Sequence, residues 1–253
     1  MQEDNNMASQ NRLKKVAVII GGSGGIGNEI ARRLASDGIS VVIAYSKSSD
    51  AAEKTVQSIQ AEGGAAFAIS ADLTKLEEID LLFQKALERC SRIDYVINNA
   101  GVISNSIIAN VTDENYRSLF DVNVRGALFV LKNAAKHIQD GGRIVNTSST
   151  IVGSPIPGSA LYTASKAALE AFSTVLSKEL GPRFITVNAV RLGPTIPGMF
   201  SKAPPERQSF LSAASPFKRL GTPKDAANLI AFLLSDEAGW ITGQTITQDG
   251  GAT

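Results

Sequence analysis

Tyr162 and Lys166 stand four residues apart near the start of Ala160 to Leu180, a stretch whose pattern predicts a helix, so both side chains share one face. A free phenol, with a pKa of about 10, is a poor base at neutral pH, but an ammonium held beside it favours the phenolate. A shift of about 3 units corresponds to about 4 kcal/mol. Such a pair can give a proton to an oxygen or take one from it. The spacing alone is common on helix surfaces, and its surroundings give it meaning. Gly142-Arg143-Ile144-Val145-Asn146-Thr147-Ser148-Ser149 precedes it, and Asn98-Asn99-Ala100-Gly101 ends an earlier apolar run.

A second chemical signature lies near the start of the chain. Val16 to Ile20 reads as a buried strand that leads into Gly21-Gly22-Ser23-Gly24-Gly25-Ile26-Gly27, after which Ile26, Ile30 and Leu34 fall on one helix face. Without side chains the backbone can turn tightly and approach a pyrophosphate, which then meets the free N–H groups at the positive end of the helix. A plain flexible turn would rarely need so many glycines, because each costs folding entropy. At the end of the next strand, Val41 to Ala44, a carboxylate would grip a ribose 2′-OH and repel a 2′-phosphate. The sequence there reads Tyr45-Ser46-Lys47-Ser48, with no acid before Asp50. Hydroxyls and a cation favour NADP(H) over NAD(H), although a Ser/Lys loop is also a common solvated turn.

The elements that must position these residues follow an alternating rhythm. Apolar, β-branched runs at Ala65 to Ile69, Asp94 to Ile97, Arg143 to Thr147, Ile185 to Val190 and Gln244 to Thr247 alternate with helical patterns. The helices run through Ala52, Val56 and Ile59, through Leu76, Ile79, Phe83 and Leu87, from about Thr112 to Lys136, over Ala160 to Leu180, and near Lys224 to Leu234. This predicts an α/β, Rossmann-like doubly wound fold with a mostly parallel seven-stranded sheet flanked by helices. Residues 1–12 read as a disordered polar leader and residues 13–253 as one domain. Thr195 to Gly221, rich in Pro, Ser and Lys/Arg, reads as a mobile substrate lid.

Composition narrows the function classes. At 43% hydrophobic and 19% charged residues with net charge +1, the chain has neither the polarity of disorder nor the basic excess of a general nucleic-acid binder. One cysteine, Cys90, and one histidine, His137, leave no internal disulfide and no metal site to expect. No stretch approaches the ~18 to 20 apolar residues of a membrane span, and the cytosol is the default compartment.

The glycine turn, Asn98-Asn99-Ala100-Gly101, and Ser149 with Tyr162-x3-Lys166, in that order, resemble the short-chain dehydrogenase/reductase family, close to its 3-oxoacyl-carrier-protein reductase-like members. The resemblance runs from about Leu13 to Gly251. It implies an oxidoreductase acting on CH–OH/C=O groups with NAD(P), in which Ser149 hydrogen-bonds the substrate oxygen while Ser148 packs or caps. It implies that Asn123 holds a water in a proton relay to Lys166. Lys166 itself then lowers the tyrosine pKa and bonds the nicotinamide ribose. In reduction, the pro-S hydride reaches the carbonyl carbon as Tyr162 protonates the oxygen. The resemblance further places Gly21, Ser23, Gly25 and Ile26 at the pyrophosphate and its ribose, and Asp72 with Leu73 at the adenine. Asn99, Ala100 and Gly101 fall beside the adenosine ribose, and Gly193 and Thr195 at the nicotinamide amide. It also implies a homotetramer, with a homodimer as the alternative.

Three positions depart from the family pattern: Ile20 replaces Thr, Gly24 replaces the Arg or Lys of many NADP-dependent members, and Leu192 replaces Pro. Lys47 and Ser46 are then left as the phosphate partners. A small-molecule carbonyl or alcohol is the expected substrate. Pro197, Met199, Phe200 and Phe210 read as an apolar pocket wall, or as ordinary lid packing. An acyl-carrier-protein thioester is the alternative, with Arg183 as a candidate docking cation, although His137-Ile138-Gln139-Asp140 is not basic. A non-catalytic NADP-binding sensor or scaffold is the rival from another class.

Overall fold

A computed structural model describes residues 14–253, so the leader read over 1–12 lies outside the described residues. Seven strands form one parallel sheet: β1 Val16–Ile20, β2 Ser40–Tyr45, β3 Ala66–Ser70, β4 Tyr95–Asn98, β5 Arg143–Ser149, β6 Thr186–Leu192 and β7 Thr245–Gln248. Their order is β3-β2-β1-β4-β5-β6-β7, and every pairing between neighbours is parallel. The order reverses between β1 and β4. In open sheets of this kind the ligand crevice lies beyond the carboxyl ends of the strands at such a point, and the glycine turn and Asn99 meet there.

Alternation along each strand sends side chains to two separate cores. Val16, Val18 and Ile20 join Val96, Ile144 and Val187 on one face, while Ala17 and Ile19 join Ile43, Ile97 and Val145 on the other. Helices α1 (Gly25–Ser36) and α2 (Ser49–Ala61) cover the second face. Helix α3 (Leu76–Cys90) covers the first.

The expected helix from Thr112 to Lys136 is one helical path with a change of pitch inside it. Helix α4 (Asp113–Phe120) starts at a capping box between Thr112 and Asn115, passes into a π-helical turn at Asp121–Gly126, and continues as α5 (Ala127–His137). Gly126 is required in that turn, because a Cβ there would lie 2.7 Å from Leu73 O. Helix α6 (Ala160–Leu180) packs beside α5 on the first face.

The segment from Thr195 to Gly221 is not irregular throughout. It holds a 3₁₀ turn at Met199–Lys202 and helix α7 at Pro205–Ala214, and its ends are joined by a bridge between Thr195 and Gly221. Helix α8 (Pro223–Leu234) follows, with Pro223 in its first turn and a capping box between Thr222 and Asp225. Among the described residues, no helix is long and apolar enough to cross a membrane, and no cluster of His, Cys, Asp and Glu is arranged for a metal ion.

Candidate active site

The glycine turn is shaped by close approach. Gly21 has φ +75°, and a Cβ there would lie 2.9 Å from Ala100 Cα, while one on Gly27 would collide with Gly21 O. Asn99 closes the turn from the neighbouring strand end, donating through Nδ2 to Gly21 O at 3.2 Å. Helix α1 starts at Gly25, and its N-cap residue Gly24 supplies no side-chain bond, which leaves the first-turn amides of Gly25 and Ile26, next to Ser23, without a side-chain cap. A Cβ on Gly25 would lie 2.9 Å from Pro197 O, which puts the start of the 195–221 segment directly over the turn. Glycines held in place by contact and uncapped amides fit a pyrophosphate.

At the outer end of the crevice, Tyr45 is half-buried and its hydroxyl accepts from Ser49 Oγ at 3.3 Å. Ser46, Lys47 and Ser48 are exposed, and Ser48 opens α2 without a side-chain cap. Asp72 accepts from Thr74 N at 3.0 Å and from Thr74 Oγ1 at 2.9 Å. These bonds, together with the Lys75 and Lys47 ammoniums, hold its carboxyl below the ordinary value. Leu73 is buried in the first core.

At the inner end, β5 and α6 bring the Ser149 hydroxyl beside the Tyr162 phenol, near enough to act on its proton affinity. Ser149 Oγ also accepts from Ile151 N at 3.3 Å. Lys166 is buried, its Nζ donating to Thr147 O at 2.8 Å and lying 5.8 Å from the Tyr162 ring centre. Burial brings the ammonium down to about 8. Burial also holds the Tyr162 phenol above its ordinary value, partly offset by Ser149.

Asn123 sits in the π-helical turn and is buried, so it does not meet solvent as a mid-helix asparagine would. Its side chain accepts from Val102 N and donates to Val102 O, both at 2.8 Å, and lies 3.2 Å from Ser165 Oγ. The change of pitch thus turns a side-chain amide into a backbone clamp on the segment after Asn98-Asn99-Ala100-Gly101. Gly101 packs closely against both side chains, since a Cβ there would lie 3.3 Å from Lys166 Nζ and 3.4 Å from Asn123 Oδ1.

Gly193 packs on Asp249, where a Cβ would come within 2.8 Å, and Thr195 Oγ1 donates to Gly193 O at 2.9 Å. Ser148 hydrogen-bonds Glu170. Thr147 O, Val102 and Ser165 were not foreseen. The first two act through backbone atoms, which leave no mark on residue type.

Arg183, the candidate docking cation, is turned away from the crevice. It donates to Asp140 Oδ1, Ala135 O and Ile138 O at the amino ends of the strands.

Comparison with known proteins places this geometry. A family model described as enoyl-(acyl carrier protein) reductase matches residues 21–253. An uncharacterized oxidoreductase of Methylorubrum extorquens is 42% identical over 240 residues, spanning 94% of this chain and 97% of that protein. A short chain dehydrogenase of Burkholderia cenocepacia, solved in complex with NADP, superposes with a TM-score of 0.90 at 37% identity, over 96% of this chain and 99% of that one. An angucycline C-6 ketoreductase with bound NADP superposes with a TM-score of 0.90 at 36% identity, over 95% and 96% of the two chains.

Proposed function

The chain belongs to the short-chain dehydrogenase/reductase family, and we propose that it reduces the carbonyl of an apolar small molecule to a secondary alcohol, or runs the reverse, with NADP(H) preferred. The observation that carries this reading is the placement of Tyr162 beside Ser149 and one helical turn from the buried Lys166, whose Nζ lies 5.8 Å from the phenol ring centre. When bound, the nicotinamide supplies or accepts the hydride at the carbonyl carbon. Ser149 fixes the substrate oxygen, Tyr162 donates a proton to it, and Lys166 holds positive charge below the resulting phenolate. Lys166 also reaches the nicotinamide ribose, while Asn123 secures the loop that closes this end and serves the relay by which the phenol is reprotonated.

Gly21, Ser23, Gly25 and Ile26 hold the pyrophosphate, with Asn99, Ala100 and Gly101 beside the adenosine ribose. Asp72 and Leu73 border the adenine, and Gly193 and Thr195 take the carboxamide. Tyr45, Ser46, Lys47 and Ser48 surround the 2′-phosphate. The NADP complexes of two similar structures support that preference. The 195–221 segment serves as the lid.

An open groove of about 460 Å³ beside the first turn of α6 supports an apolar substrate, because Ile107, Ile108, Pro155, Ile156, Pro157 and Ala164 line it, with Ser159 and Thr163 as its polar side chains and no charged one. Assay of ketones, aldehydes, sugars and acyl thioesters with NADPH and NADH tests the reading. Apolar ketones with NADPH are expected to turn over fastest. Tyr162→Phe is expected to lower kcat by about 10³-fold with NADPH binding nearly unchanged, and full activity in that variant would overturn the mechanism.

A further inference from the structure

Ser148, Glu170 and Arg191 form a polar network, buried at Ser148 and Glu170 and half-buried at Arg191, that the proton-transfer chemistry leaves unused. Glu170 Oε1 accepts from Ser148 Oγ at 2.6 Å and from Arg191 Nε at 2.8 Å, and its Oε2 accepts from Arg191 Nη2 at 2.7 Å. Ser148 and Arg191 are register partners on adjacent strands, so both project from the same sheet face toward α6, where Glu170 waits. Glu170 is only 9% exposed. A carboxylate with a two-pronged guanidinium and a hydroxyl is geometrically strict, because each oxygen has its donors at fixed angles.

Each of the three residues sits next to a functional one. Ser148 precedes Ser149 in β5, Glu170 lies one turn after Lys166 in α6, and Arg191 stands two residues before Gly193 at the end of β6. Arg191 Nη1 also lies 3.5 Å from where a Cβ on Gly153 would be, so the guanidinium underlies the turn that follows Ser149. Stability alone is a weak reason for such a pair, since apolar residues of similar volume hold helix to sheet as well or better. What an ionic clamp adds is a single allowed arrangement of the three elements.

We infer that Ser148, Glu170 and Arg191 are positioning residues, a clamp that fixes the Ser149 hydroxyl against Tyr162 and sets β6 for the carboxamide-binding Gly193. This rests on the proposed function. Two variants test it: Glu170→Leu/Arg191→Met, which removes both charges together, and Ser148→Ala, which keeps the ion pair and cuts only its link to β5. The measurements are kcat, NADPH Kd, thermal midpoint, and the titration midpoint of Tyr162. The last is read from tyrosinate absorbance of the NADP⁺-loaded protein after subtracting Tyr162→Phe. The double variant is expected to keep its NADPH Kd within about twofold and to lose kcat by about tenfold to a hundredfold, the scale of a small misplacement at the reacting groups. Its Tyr162 midpoint is expected to move up as Ser149 leaves the phenol.

Ser148→Ala is expected to show the same pair of changes at a severalfold level, and it carries the test if the double variant does not fold. Partial recovery of kcat in Glu170→Asp supports the clamp. An unchanged kcat, or a lower kcat with an unmoved Tyr162 midpoint, overturns it, whatever happens to thermal stability. Full activity in Tyr162→Phe overturns the proposed function and the clamp with it. Loss of activity in Tyr162→Phe beside unchanged Ser148→Ala and double variants overturns the clamp alone.

Discussion

At the inner end of the cofactor crevice, Asn123, Ser165 and Lys166 are each 5% exposed or less, and their polar atoms are committed to Val102, Tyr162 O and Thr147 O. At the outer end, Ser46, Lys47 and Ser48 are exposed, and Tyr45 is steadied by one 3.3 Å contact from Ser49. The inner groups share partners, so removing one displaces the others and effects should not add. The outer groups act singly through solvent, where a charge contact is weak and can be exchanged without disturbing the fold. Chemistry is therefore set where substitution is costly, and the choice of cofactor where it is cheap.

The largest expected effect comes from Lys166. Its ammonium is buried without a carboxylate partner among the described residues, and burial brings it down to about 8 from an ordinary 10.5. The depressed value means that the unfolded chain binds the proton more tightly than the folded one. A destabilisation of about 3 kcal/mol is therefore fully present below pH 8 and is relieved as pH rises toward 10.5. Lys166→Met is expected to abolish measurable turnover yet raise the thermal midpoint by about 5 °C or more at pH 7, an advantage that shrinks by pH 10. For the wild type, carbonyl reduction is expected to decline as pH rises through about 8. A midpoint at pH 7 that is unchanged or lower would show that the bond to Thr147 O already compensates burial, and the contrast between the two ends would lose its energetic basis.

How much of this was legible in the sequence follows the same division. The sheet and its helices could be read because β1 is buried throughout and the helices repeat their apolar residues on one face. Tyr162, Lys166 and Ser149 could be read because their chemistry depends on side-chain type. The π-helical turn could not, since six residues of Asp-Val-Asn-Val-Arg-Gly do not separate one helical pitch from another. Helix α7 was missed because it buries no residue and so carries no apolar stripe. The link from Ser148 through Glu170 to Arg191 joins residues 22 and 21 positions apart, and only the sheet register brings them together.

A smaller effect is expected from methyl groups added at the two ends. Gly101→Ala places a Cβ 3.3 Å from Lys166 Nζ and 3.4 Å from Asn123 Oδ1, tight enough to push one of them by a few tenths of an ångström. Because both are fixed by other bonds, kcat is expected to fall by about tenfold. Gly24→Ala meets nothing closer than Gly21 O at 3.6 Å, and its φ of −80° suits any residue, so kcat should stay near wild type. Equal losses in the two variants would mean that the phosphate turn is as strict as the proton-transfer end.

The smallest expected effect is at Lys47. Its charge reaches Asp72 but, being exposed, competes with water and salt for any phosphate. Lys47→Glu reverses the sign beside the 2′-position, and the KM for NADPH is expected to rise about tenfold at low salt, with a smaller rise at 0.5 M salt. The KM for NADH should change little, and kcat at saturating cofactor should not change at all, because no hydrogen bond runs from Lys47 into the Asn123 and Lys166 network. A fall in kcat would break the comparison, since it would mean that the exposed end transmits its state to the buried one through the glycine turn and Asn99.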